Sequence, residues 1–108
     1  MNLKINDWCG RLGNNIQQLI IITHIAVHKK YNIILPQHKF LKTQYVVIND
    51  SVDINSPTIT NKKNFYYKKE IPDIDEKVYC ENENKVLKLI KSYFNINVDE
   101  IKKLDEND

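Results

Sequence analysis

At 108 residues the chain predicts a single domain over 1–104 with a polar tail at 105–108, long enough to bury a core without metals or disulfides. Sixteen basic against 14 acidic residues leave a net charge of +2, which argues against a dedicated nucleic-acid binder; every basic residue except Arg11 is lysine, so bidentate recognition of phosphates or base edges rests on one side chain. Cys9 and Cys80 make no disulfide framework, residues 1–8 lack the layout of a secretory signal, and the apolar run at 19–27 falls short of the roughly 20 residues that cross a bilayer, so the expectation is a cytoplasmic chain with no membrane span.

Leu3, Lys4, Ile5 and Asn6 alternate apolar and polar, predicting a short strand, and residues 7–13 read as a loop. Residues 14–30 carry a helical pattern, with Asn14 as N-cap and Gln17 as its capping-box partner. Leu12, Ile16, Leu19, Ile20, Thr23, Ala26 and Val27 share one face, and Ile21, Ile22 and Ile25 widen it, so the helix is covered around much of its circumference. Its β-branched residues are weak helix formers, so burial must hold it, and a strand over 19–22 is the competing reading. Ile33-Ile34-Leu35 running into Pro36 predicts a short buried parallel strand and completes a βαβ unit, whose crossover is right-handed almost without exception. Residues 44–49 read as a third strand, 50–56 as a loop, 58–60 and 65–67 as edge strands, and 71–75 as a loop. Asn82 is placed to cap a helix over 83–94 with Glu83 in its first turn and a stripe of Val86, Leu87, Ile90, Tyr93 and Phe94. A second capping box at 97–100 opens a short helix ending at Leu104. The predicted class is α/β, a small mostly parallel Rossmann-like sheet with flanking helices.

Both glycines and the only arginine fall within Cys9-Gly10-Arg11-Leu12-Gly13-Asn14-Asn15-Ile16-Gln17-Gln18. A glycine turn entering a helix presents free backbone N–H groups and the positive end of the helix dipole, a setting that suits an anion, and Arg11 adds a planar donor fork. The Gly-x-x-Gly spacing is neither the dinucleotide fingerprint nor a Walker loop, and the plainer account is that the glycines only let the chain turn. His24 and His28 stand at i and i+4, a zinc-compatible spacing, but Ile25 occupies the position where a metalloprotease helix needs Glu, and no third ligand is close in sequence. Cys9 precedes a helix N-terminus, which favours a thiolate, yet no histidine is placed to make it a nucleophile. The run from Lys62 to Lys69 interleaves lysines with Phe65, Tyr66 and Tyr67; it could follow a nucleic-acid backbone or a sugar face, and more simply it is an edge strand protected by lysine.

The same ten residues resemble the N-terminal signature of the alpha-1,2-fucosyltransferase family, Gly-Gly/Arg-Leu-Gly-Asn-Gln-Met/Leu-Phe-Gln. The resemblance covers about residues 2–36, with a fainter echo at Tyr93-Phe94 and Val98 to Leu104. It implies the N-terminal half of a two-domain glycosyltransferase whose Rossmann-like halves bind a GDP-sugar between them. It also implies that the turn after the first strand lines the cleft on the acceptor side. Gly10, Gly13 and Asn14 match the signature, Arg11 matches its variable second position, Gln18 matches its later glutamine, and Asn15 stands where glutamine is usual. The implied substrate-binding residues are thus Gly10, Arg11, Gly13, Asn14 and Asn15, with no metal or cofactor; the partners are a glycan acceptor, the nucleotide sugar and a second protein half. In this family a second-half His-x-Arg-Arg-x-Asp motif grips the donor diphosphate, and a chain whose one arginine is Arg11 cannot contain it. The implied function is an acceptor-side part inactive alone, and the rival expectation is a non-catalytic α/β interaction or ligand-binding module.

Overall fold

The computed structural model, which describes residues 1–61, 71 and 74–95, builds its sheet around the first strand of the chain. Strand β1 (Asn2–Lys4) leads through helix α1 (Leu12–Lys29) into β2 (Asn32–Ile34); β3 (Tyr45–Val46), β4 (Thr58–Thr60) and helix α2 (Glu76–Tyr93) follow. The sheet order is β3-β2-β1-β4. β1 pairs in parallel with β2, Leu3 opposite Ile33, and with β4, Leu3 opposite Ile59, while β2 pairs antiparallel with β3, Ile33 opposite Val46. The expected β1–α1–β2 unit is therefore present, but the sheet is mixed where a mostly parallel one was expected. The chain returns from β2 to β3 through a loop closed by a Leu35 N–H bond to the Gln44 carbonyl at 2.8 Å, and that return runs antiparallel.

Alternation divides the sheet into two unlike faces. Leu3, Ile5, Ile33, Leu35 and Val46 form an apolar face and are buried in the core with the isoleucines of α1. The helix is enclosed along ten consecutive residues, Gln18 to Val27, which explains how so β-branched a sequence holds helical form. Tyr79, Val86, Ile90 and Tyr93 form the buried stripe of α2, which packs on α1. Across that contact the Thr23 and Tyr93 hydroxyls share a buried hydrogen bond, and the His24 ring stacks on Tyr79 at 3.9 Å between centroids.

The second face is polar at its upper end, where Asn2 and Asn32 stand opposite each other, both fully buried. Their amides are saturated. Asn2 donates to the carbonyls of Asp53 (2.8 Å) and Ser56 (3.3 Å) and accepts from the Tyr45 hydroxyl (2.8 Å). Asn32 donates to the Val52 carbonyl and the Tyr45 oxygen, both at 2.9 Å, and accepts from the N–H groups of Ile48 (2.7 Å) and Asn49 (2.8 Å). Two side chains thereby bind the 48–56 loop over the sheet in place of a second helix layer, and each buried polar group finds a partner.

Several boundaries differ from the sequence expectation. β1 covers Asn2–Lys4 rather than 3–6. The third strand is only Tyr45–Val46 rather than 44–49, because the Ile48 and Asn49 N–H groups go to Asn32 instead of a ladder partner. α1 starts at Leu12 with Arg11 at its cap position and no side-chain cap bond, so Asn14 is not the N-cap and Gln17 closes no capping box. α2 starts at Glu76, capped by Asp75, whose carboxylate accepts from the Val78 N–H at 2.9 Å; Asn82 is a mid-helix residue. Thr58–Thr60 is a strand as expected, and the expectations for 65–67, for the lysine run and for the helix over 97–104 lie outside the described residues.

Candidate binding site

The β1–α1 turn lies beyond the C-terminal end of a parallel strand, the edge at which open α/β sheets take ligands. It is held from inside by two amide side chains projecting from the first turns of α1. Gln18 accepts from the Cys9 N–H at 2.9 Å and donates to the Asp7 carbonyl at 3.2 Å. Asn15 donates to the Cys9 carbonyl at 2.8 Å, and its carbonyl oxygen meets His38 Nε2 at 3.1 Å. Both amides are buried. A helix of ordinary amphipathic sequence would carry apolar groups here; amides at these positions satisfy a loop that makes no ladder of its own.

His38 joins this turn to two other segments. Its Nδ1 accepts the Phe40 N–H at 3.2 Å, which fixes the neutral tautomer that donates from Nε2 to Asn15. Trp8 meets its ring edge-on at 5.0 Å between centroids, and the rings of Phe94 and Phe40 lie at 5.1 and 5.8 Å. Burial, and then the nearby Lys39 charge, hold the imidazole pKa below its usual value. The Trp8 indole N–H is shared between the Pro36 and Gln37 carbonyls at 3.1 and 3.0 Å. The end of α2 is tied to the same loop through Lys42 N–H to the Tyr93 carbonyl and Asn95 N–H to the Phe40 carbonyl.

The five residues that the signature resemblance points to occupy unlike settings. Gly10 is exposed and takes φ of +64°, the left-handed region that glycine enters freely; a β-carbon there would stand 2.2 Å from Asn14 Nδ2. Gly13 is buried inside α1 and uses no such freedom. Arg11 is exposed at the helix cap, beside main-chain N–H groups that no side chain caps. Asn14 is half-buried against Gly10. Asn15 is buried, with both ends of its amide engaged. The turn therefore presents Arg11, Asn14 and the Gly10 backbone outward, and turns Asn15 and Gln18 inward.

Sequence reasoning missed Trp8 and His38. The signal available was position: a histidine two residues past Pro36, on the loop that leaves the ligand edge of β2, and a tryptophan on the loop that leaves β1. The two helix histidines separate, His24 buried against Tyr79 and His28 exposed, and among the described residues no three His, Cys, Asp or Glu side chains stand close enough to hold a metal ion. A shallow groove of about 410 Å³ opens at the far end of α1, lined by Val27, Lys30, Ile48, Asn49, Asp50, Ser51 and Lys85, away from the glycine turn. Among the described residues no helix is long and apolar enough to cross a membrane. No family model, curated protein or solved structure matches this chain.

Proposed function

We propose that the β1–α1 turn is the ligand rim of an acceptor-side, fucosyltransferase-like glycosyltransferase part, which takes a glycan and a GDP-sugar and requires a second protein half for turnover. The observation that carries this reading is the division of the turn itself. Gln18 and Asn15 fix its backbone from the buried side, leaving Arg11 exposed at the start of a helix that no side chain caps, at the edge where α/β sheets bind ligands. In such a transfer the anomeric carbon exchanges its diphosphate for an acceptor hydroxyl. The departing charge needs fixed positive groups, and Arg11, the only arginine, supplies a single one. The remaining cations belong to the missing half.

Amide NMR of the isotope-labelled chain, titrated separately with GDP and with a neutral glycan, tests the rim. Saturable shifts at residues 10–15 are expected with either ligand, and their absence with both overturns the reading. The purified chain, given GDP-fucose and a glycan, is expected to transfer nothing; steady transfer would remove the need for a second half. One observation favours a non-catalytic ligand-binding module instead: Gln18, which matches the signature's later glutamine, and Asn15, which stands where glutamine is usual, spend their amides on the loop. Glycan binding with no response to GDP would select that module.

A further inference from the structure

We infer that Trp8 is the platform on which the sugar lies, receiving the C–H face of a neutral pyranose; the inference rests on reading this edge as a glycan rim. A pyranose has one face of C–H bonds with partial positive charge, and the face of an indole ring carries the complementary negative potential. Such a contact is productive when the ring is rigid before the ligand arrives, because ordering costs then do not fall on binding.

Trp8 is held in that way. Its N–H is shared between two main-chain carbonyls, Pro36 and Gln37, so the indole bridges the loops that leave β1 and β2. Its ring meets the His38 imidazole at 77°, and that imidazole is itself fixed by Asn15 and by the Phe40 N–H. The indole stays only partly buried at the rim of the core. The two carbonyls and the perpendicular ring hold the indole in one orientation before any ligand arrives, which is what a stacking surface needs.

The charges around the indole are of both signs and near balance: His38 is neutral by its hydrogen bonds, the Lys39 ammonium lies over the Phe40 ring at 4.9 Å, and the neighbouring Asp7 is exposed, so no cluster of one sign marks the platform for a charged ligand. Asn6, Asp7 and Gln37, all exposed, offer the amide and carboxylate groups that hydroxyls need. Trp8 thus offers the apolar surface for the sugar, and Arg11 is left for charge.

Trp8 is the sole tryptophan, so the emission of the intact chain reports on it alone. Lactose is the probe, titrated into wild type, Trp8→Phe and Trp8→Ala, with GDP titrated in parallel and shifts at residues 10–15 read by amide NMR. The expected result is a saturable change in wild-type emission with a Kd in the millimolar range, about threefold weaker binding in Trp8→Phe, and at least tenfold weaker in Trp8→Ala. Saturable lactose shifts with no change in wild-type emission, or equal affinity in Trp8→Phe and wild type, overturn the platform and leave the rim intact. GDP shifts without lactose binding also overturn it alone; silence to both ligands overturns the rim as well. If Trp8→Ala does not fold, wild-type emission and Trp8→Phe decide.

Discussion

Replacing Gly10 with alanine tests whether the glycine turn is a close contact or only a bend. Two costs can be separated. An L-residue in the left-handed region costs about 1–2 kcal/mol, and the loss of glycine freedom from the unfolded chain returns about 0.4–1 kcal/mol, leaving about 1 kcal/mol. The second cost is steric. The added carbon would lie 2.2 Å from Asn14 Nδ2, 3.2 Å from its Cγ and 3.3 Å from its Cβ. The clash with Nδ2 and Cγ drives the Asn14 amide off its rotamer at about 0.5–1.5 kcal/mol, while the Cβ contact stays the same whether residue 14 is Asn or Ala. Gly10→Ala should therefore destabilise by about 2 kcal/mol, lowering Tm by about 10 °C. In an Asn14→Ala background, which lacks Cγ and Nδ2, the same change should cost only about 1 kcal/mol. Urea denaturation of the four proteins closes the cycle. An unchanged midpoint for Gly10→Ala, or an identical cost in both backgrounds, would refute the contact.

Asn32→Ala strips the acceptor from the Ile48 and Asn49 N–H groups and should cost about 3 kcal/mol, with much faster hydrogen exchange at those two amides; protected amides in the variant would show that the loop is held otherwise. The depressed pKa of His38 ties stability to pH. The unfolded chain takes up a proton near pH 6.5 while the folded imidazole, desolvated and facing Lys39, does not, so this contribution is complete above about 6.5 and is lost as pH falls below it. His38→Gln should flatten denaturant midpoints measured from pH 7.5 down to 5, and an equal slope in wild type and variant would assign the effect elsewhere. Burial pushes the Tyr93 hydroxyl well above its ordinary pKa although the Thr23 bond pulls the other way, so the phenol should stay protonated in an alkaline absorbance titration until the chain unfolds. Tyr93→Phe alone should cost about 1 kcal/mol, and adding Thr23→Val should recover most of it; strict additivity would deny the pair.

What could be read from sequence was the apolar framework. The isoleucine-rich stretch of α1 and the short run at 33–35 declare themselves because nearly every residue is enclosed, and only Thr23 and His24, themselves buried, interrupt the apolar sequence. The start of α2 was hidden for the opposite reason: its buried positions Tyr79 and Val86 lie two turns apart with exposed charge between them, so the stripe becomes continuous only near Ile90. β3 looked longer than it is because Val47, Ile48 and Asn49 resemble a strand, while the partner of the Ile48 and Asn49 N–H groups is a side chain 16 and 17 residues earlier. The same limit applies at the candidate site. Gly10, Arg11 and Asn14 advertise a turn by their identity, whereas the inward roles of Asn15 and Gln18 depend on carbonyls and a distant histidine that no local spacing encodes.

The position of β1 between β2 and β4 also sets an order of assembly. Its partnership with β2 closes through α1, whereas its partnership with β4 spans nearly twice the length of chain and carries a larger entropy of closure. The asparagine pair that receives the 48–56 loop does not exist until β1 and β2 are in register, so the loop and β4 dock onto a surface already built. Rates should divide accordingly: lesions in the strand–helix–strand unit slow folding, while lesions in the loop hasten unfolding and leave the folding rate nearly untouched.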